Sequence, residues 1–435
     1  MRRLACRRAR EVSVQCALRY DEGTFDFEIG TRGGLTVTGD SYPAPLADPD
    51  RSFRASIEGP IGARSLAGIL PASGIISILI SDLTRGSFTR RIVARLLAFL
   101  TGQGVSPERV RIVLALGMHR AHSASELEAH LGAEILSRWK VVEHDAGDSS
   151  SLVEVGTTPA GTRCQFNRTV AQSKLVIAAG AVSFHYFAGY GGGRKLILPG
   201  IAGRETILAN HRLSLRRDPG EGLAAGCRPG SLDGNPVHAD MLAGARLLGT
   251  RVFAINSVCD NRGNLLFINA GELDASHRAA CDFVSAHFRI MIDRLYKVVI
   301  VSAGGFPRDI NLLQSHKALR HASYALDEGG LMLAAAACRE GVGSDSYAAA
   351  FDGGRHEVPG VVRRGYALNS QTAMSTYELT ERLSVYLKSM LPDDLVTRFG
   401  FVPWNPDFAA YLVDGVPDRD ILVIANGAQF LPEMR

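Results

Sequence analysis

Short runs of Val, Ile and Leu, each closed by a polar or glycine-rich turn, punctuate the chain at residues 75–80, 110–116, 174–178, 297–301 and 421–424. Runs this short and continuous, without the alternation of a half-exposed strand, predict strands buried on both faces, as in a parallel sheet. Helical patterns stand between them. Ser123-Ala-Ser-Glu126 is a capping-box signature ahead of LEAHLGAEIL, which predicts a helix after the second run. Residues 308–322 have helical spacing after the turn Gly304-Gly305-Phe306-Pro307, and residues 203–213 have helical composition after the break at Pro199-Gly200. The beginning differs, because VSVQCALRY (12–20) and FDFEI alternate about a DEGT turn, as antiparallel strands do. The pattern predicts an α/β fold: two domains with mostly parallel sheets, and antiparallel strands at the N-terminus. The expected boundaries are a disordered leader over 1–11, an N-terminal domain over 12–290, a C-terminal α/β domain over 291–390, and a segment 391–435 returning to the first domain.

Composition narrows the function classes. At 435 residues the chain is long enough for two or three domains. A net charge of +4, with acids and bases mixed, leaves no electrostatic footprint for nucleic acid. MRRLACRRAR carries five arginines and no acid, and no signal-length apolar stretch follows it, which is the ground for a disordered leader. Seven cysteines at 6, 16, 164, 227, 259, 281 and 338, an odd number without a Cys-x-x-Cys pair, predict reduced thiols and a cytoplasmic protein. No apolar run approaches the roughly 18 residues of a membrane span, so no membrane partner is expected.

Ligands of open α/β sheets bind outside the carboxyl ends of the strands. The turns there read SDLTR (81–85), GMHR (117–120), HYFAGYGGGRKLILPGIAGRETILANH (185–211) and GGFPRDINLLQSHK (304–317). In the third, the glycines let backbone approach a ligand and offer amides to an anion, with Arg194 and Lys195 adding charge. Lys195 precedes the apolar LILPGI; at a strand edge against such a wall a lysine can act as nucleophile or covalent anchor, although a solvated lysine is the plain alternative. His211, near a helix end, can ligate a metal, but one histidine is no metal site and none of its neighbours offers a second ligand at zinc-like spacing. His119 and His185 each follow a strand, where imidazoles suit proton transfer to and from one substrate. Asp82, Thr84 and Arg85 form a polar set able to bind a carboxylate or phosphate, and Gln314 and Lys317, three apart, share one helix face.

Taken in order, SDLTR, GMHR, HYFAGYGGGRKLILPGI, RETILANH and GGFPRDINLLQSHKAL resemble the nickel-dependent lactate racemase family over residues 81–320. The resemblance implies an isomerase, a racemase or epimerase of a small 2-hydroxy acid. It also implies a nickel-pincer nucleotide (nickel pyridinium-3,5-bisthiocarboxylic acid mononucleotide) attached covalently at Lys195, with His211 as the nickel ligand. His119 and His185 become the paired acid/base residues. Asp82, Leu83, Thr84, Arg85, Gln314 and Lys317 become cofactor or substrate contacts, and enzymes of cofactor synthesis become partners. On this reading residues 12–290 carry the cofactor lysine, the histidines and the nickel ligand, and residues 291–390 close over the site. Two departures bear on the substrate. Gly86 follows Arg85 where the family usually has proline, and the only tryptophans, Trp139 and Trp404, lie outside residues 360–375, where RGYALNSQTAM replaces the family's second-domain tryptophan. The expected substrate is therefore lactate-like or larger. A noncatalytic carrier or sensor of the cofactor or of a nucleotide, with the same fold, is the alternative from another class.

Overall fold

The computed structural model describes residues 12–31, 35–82, 88–405, 412–413 and 415–435, which form two compact units. One comprises Tyr42–Arg216 and Leu223–His287. Its six-stranded sheet has the order Leu265–Gly271, Arg251–Cys259, Leu175–Ala181, Ile76–Ile80, Val110–Leu114, Lys140–Glu143. All neighbours are parallel except the first pair. The apolar runs form these strands because both faces are covered. Ile76, Ile78 and Ile80 pack with Phe53, Ile92 and Leu96 from helices Pro49–Glu58 and Phe88–Gly102. Leu79, one residue out of phase, packs with Phe166, Ile197 and Met241 on the other side. Each such side chain stabilises the fold by about 1.5–3 kcal/mol relative to exposure.

The capping box forms as expected: Ser123 Oγ accepts from Glu126 N, and Glu126 Oε2 accepts from Ser123 N at 2.8 Å. The helix is shorter than LEAHLGAEIL, however, because Gly132 adopts φ +88° and divides it into Ala124–Leu131 and Ala133–Arg138. In chain order the sheet grows from Ile76–Ile80 to one side, then from Leu175–Ala181 to the other. The carboxyl ends of these two adjacent strands flank the topological switch point, where α/β sheets open a ligand crevice.

The other unit comprises residues 12–41, Arg217–Gly222 and Phe288–Arg435. Its sheet, all parallel, runs Val402–Pro403, Ser384–Lys388, Leu326–Ala335, Tyr296–Ser302, Ile421–Ile424, Thr36–Thr38. The antiparallel hairpin Val12–Tyr20 and Gly23–Thr31 forms as expected. The domain boundaries come out differently from the sequence expectation. Residues 12–41 belong with the C-terminal unit, because Thr36–Thr38 pairs with Ile421–Ile424 and Leu18, Phe27 and Ile29 pack with Ile300, Leu333 and Trp404. Residues 391–435 do not return to the first domain; Ile421–Ile424 and Leu431–Met434 pair within the C-terminal unit. Neither contact is visible in local periodicity. The helix expected over 308–322 is Leu312–Ala322, capped by Asn311, whose side chain accepts from Gln314 N. The leader 1–11 lies outside the described residues. Among those described, no helix is long and apolar enough to cross a membrane, and all six cysteines are free.

Candidate active site

Four of the expected residues gather at the carboxyl edge of the first unit's sheet. Asp82, two residues beyond Ile76–Ile80, is buried, and its Oδ2 is in short contact with Nδ1 of His119. The two side chains form a dyad in which Asp82 orients the histidine. Two anchors hold the pair. Ser81 O accepts from His130 Nε2 at 3.0 Å, and Gly117 N donates to Gly200 O at 2.9 Å, tying the GMHR turn to the LPGI turn. Leu83, Thr84, Arg85 and Gly86 lie outside the described residues.

The glycine segment follows Leu175–Ala181 and folds back on itself. Phe184–His185 pairs with Gly189–Tyr190, and Gly191 N donates to Ser183 O at 2.8 Å. Glycine is required here by space as well as by backbone angle. A Cβ on Gly189 (φ +76°) would stand 2.0 Å from Ser231 O, and one on Gly193 (φ +52°) 2.6 Å from the His277 ring. The expected anion cradle is smaller than the glycine count suggests, since the amides of Tyr190, Gly191 and Lys195 are taken by the carbonyls of Ala188, Ser183 and Gly192. Arg194 does not face a ligand either. It is 1% exposed, donates to Ala188 O at 2.8 Å and lies 3.0 Å from His277 Nε2. Burial lowers its pKa to about 10, so it remains a cation at neutral pH.

Lys195 is half-buried in a 3-10 turn, Gly193–Leu196, rather than at a strand edge. The apolar wall is real: Leu196, Ile197 and Leu198 are buried. Its Nζ lies 3.2 Å from His185 Nε2 and 5.2 Å from the centroid of Phe187. Phe187 also meets His185 and His211 edge-on, with centroids 4.6 and 5.1 Å away. One aromatic ring thus organises the three residues of the motif. Its carbonyl is held in turn by Asn235 Nδ2 at 2.9 Å, from the cap of helix Pro236–Leu247. His211 is the penultimate residue of helix Arg204–Arg212 and is buried. Burial, with Lys195 nearby, depresses its pKa to about 3 and keeps the ring neutral. Its Nδ1 is bonded to Asn210 Oδ1 at 3.1 Å, while among the described residues Nε2 has no partner. A neutral imidazole with one nitrogen so committed is a ready metal ligand.

Among the described residues no three His, Cys, Asp or Glu side chains converge as a metal cage. Gln314 and Lys317 stand on helix Leu312–Ala322 of the other unit and pair with each other at 2.5 Å, as their three-residue spacing predicts. Phe187, Asn210 and Asn235 escaped the sequence reading. Asn235-Pro236 is a capping signature that marks a helix start, and nothing in it announces a contact to Phe187.

Residues 20–223 match the family model of the lactate racemase N-terminal domain, and residues 293–363 that of the lactate racemase C-terminal domain. The lactate racemase of Lactiplantibacillus plantarum is 33% identical over 339 residues, 77% of either chain. That of Thermoanaerobacterium thermosaccharolyticum is 32% identical over 316 residues, 73% of this chain and 72% of the relative. The lactate racemase apoprotein structure from the latter organism superposes with a TM-score of 0.84 at 24% identity, covering 97% of this chain and all of that one. A Thermotoga maritima protein superposes with a TM-score of 0.68 at 17% identity, covering 91% of this chain and all of that one. Lactate racemase relatives over most of the chain, together with the shared α/β fold, indicate an isomerase of the racemase type. The chain belongs to the lactate racemase family.

Proposed function

We propose that this protein is a cytoplasmic racemase or epimerase of a 2-hydroxy acid, lactate or a larger relative, working with a nickel-pincer nucleotide tethered at Lys195. The observation that carries the proposal is the shared Phe187 ring, which sets Lys195, His185 and His211 within one small volume, with the His211 lone pair available. These residues fit the cofactor. Lys195 would be the covalent anchor, and His211 would hold nickel from the protein side. When bound, such a group would supply hydride chemistry at C2 of the substrate.

The protein's own task is orientation and proton transfer. The α-hydrogen of an ionised 2-hydroxy acid is a poor acid, since its removal as a proton would build negative charge beside the carboxylate. Removal as hydride avoids that, but the hydroxyl must lose its proton in the same direction of reaction. His119 and His185 are assigned this role, one for each enantiomer, each receiving the hydroxyl proton in one direction and supplying it in the other. Asp82 fixes the His119 ring through Nδ1 and leaves Nε2 for substrate. Leu83, Thr84, Arg85, Gln314 and Lys317 are assigned to the carboxylate and phosphate of substrate and cofactor, on their sequence pattern.

Trp404, 4% exposed, packs edge-on against Phe25 and Phe27, and Trp139 is buried in the other core, so both tryptophans are structural. This supports a substrate wall of different composition from the family's. The test is protein produced together with cofactor-synthesis enzymes, analysed by mass spectrometry of the Lys195 peptide and by nickel content. It is followed by a chiral assay over a panel of 2-hydroxy acids that begins with lactate. A modified Lys195, bound nickel and inversion of at least one acid are expected; an unmodified lysine without nickel rejects the proposal.

A further inference from the structure

His211 ends a hydrogen-bonded chain that begins outside the site. Asp240, on helix Pro236–Leu247, is 2% exposed, and its carboxylate accepts from Thr158 Oγ1, from Thr162 Oγ1 at 2.8 Å and from Asn210 Nδ2 at 2.8 Å. The same Nδ2 of the fully buried Asn210 lies 3.3 Å from Val237 O. Both partners of that nitrogen are pure acceptors, so the NH₂ end of the amide faces them and the oxygen end must face away. The oxygen is the atom 3.1 Å from His211 Nδ1. An amide oxygen only accepts, so Nδ1 carries the ring proton, and a neutral ring then keeps its lone pair on Nε2.

We infer that Asp240, acting through Asn210, is a positioning residue that dictates the tautomer of His211 and turns its Nε2 lone pair toward the metal. The part concerning metal rests on the assignment of nickel to His211; the part concerning the tautomer does not. A carboxylate two steps behind a ligand is a form of outer-shell control in which the amide relays orientation without moving a proton. An isolated histidine side chain favours the opposite tautomer, with the proton on Nε2, which would block ligation.

The test uses full-length apoprotein carrying ¹⁵N-labelled histidine, with long-range ¹H–¹⁵N correlation spectra at pH 7.5. His211 is assigned by its disappearance in His211→Gln. The wild type is expected to show the Nδ1–H pattern, and Asn210→Leu and Asp240→Asn the Nε2–H pattern or a mixture. Asp240→Glu is expected to restore the wild-type pattern at least in part. An Nε2–H ring in the wild type, or an unchanged Nδ1–H ring in the folded variants, overturns the inference. Should both variants fail to fold, the wild-type tautomer alone decides. In protein loaded with cofactor, Asn210→Leu is expected to weaken nickel retention against EDTA by about 10- to 100-fold while the Lys195 modification persists. Absence of nickel from the loaded wild type would reject the assignment of His211 and leave the tautomer result standing.

Discussion

Two helices, Arg204–Arg212 in one unit and Leu312–Ala322 in the other, each bury a histidine, and the two are alike in almost every local respect. His211 and His316 are both buried, and burial depresses both pKa values to about 3, so both rings are neutral. Their hydrogen bonds separate them. Thr376 Oγ1 donates to Thr372 O and therefore accepts from Nδ1 of His316, at 3.2 Å, while Ser375 Oγ lies 2.8 Å from Nε2 and must donate to it. On these contacts both rings carry their proton on Nδ1, but a hydroxyl occupies Nε2 of His316, whereas among the described residues Nε2 of His211 has no partner. Burial and a shifted pKa therefore do not identify a functional histidine. The second nitrogen is what separates the proposed ligand from its structural counterpart.

The largest expected difference follows directly. His211→Ala should abolish nickel retention and racemisation while the Lys195 modification remains, as read by metal analysis, mass spectrometry and a chiral assay. His316→Ala should leave turnover per folded molecule unchanged and lower stability by about 2–4 kcal/mol, as read by urea denaturation, because it takes the imidazole partner from the buried Ser375 hydroxyl and opens a cavity. Equal nickel loss in both variants would erase the distinction. Next come the acid/base candidates: His119→Ala and His185→Ala should each retain nickel and lose about 10²–10⁴-fold in kcat. Asp82→Asn should lose less, since it removes the orienting charge and leaves the imidazole.

Acid should treat the two buried rings alike in the apoprotein. Their folded pKa values of about 3 lie below the 6.5 of an unexposed-to-partner, unfolded histidine, so the unfolded chain binds protons first. The stability each neutral ring permits is fully present above pH 6.5 and is lost as pH falls toward 3, by at most about 1.4 kcal/mol per pH unit for each ring. His211→Gln and His316→Gln should each flatten the fall in apoprotein stability between pH 6.5 and 4, measured by urea titrations. With nickel bound, only the His211 contribution should move.

How much of this was legible in the sequence depends on the range of the contact. The buried strands were, because continuous Val/Ile/Leu runs such as 76–80 have no other good solution than a sheet covered on both sides. The candidates were legible as local motifs at strand ends, and Asp82 pairs with His119 and Lys195 with His185 beyond the carboxyl ends of strands in one sheet. The pairing of Asp82 with His119 across 37 residues was not, nor the role of Phe187, because hydrophobic residues carry no mark of what they will touch. The domain boundary failed for the same reason. The N-terminal hairpin joins the distant C-terminal unit through Phe27 and Trp404, a contact with no local signature.

The smallest expected effect tests the comparison most narrowly. Ser375→Ala removes the one hydroxyl that occupies Nε2 of His316 and leaves the Thr376 contact to Nδ1 in place. The variant removes the Ser375 hydroxyl from Nε2 of His316, in a ring that is buried and neutral as that of His211 is. If an open Nε2 were sufficient for ligation, the loaded protein should gain nickel. We expect no gain, because the proposed tether lies at Lys195 and not beside His316. The cost should be confined to one unsatisfied buried nitrogen, about 1–2 kcal/mol in urea denaturation, with racemisation unchanged. A second equivalent of nickel bound by this variant would show that the lone pair alone selects the metal, and that the tether at Lys195 serves only to hold what His211 already recruits.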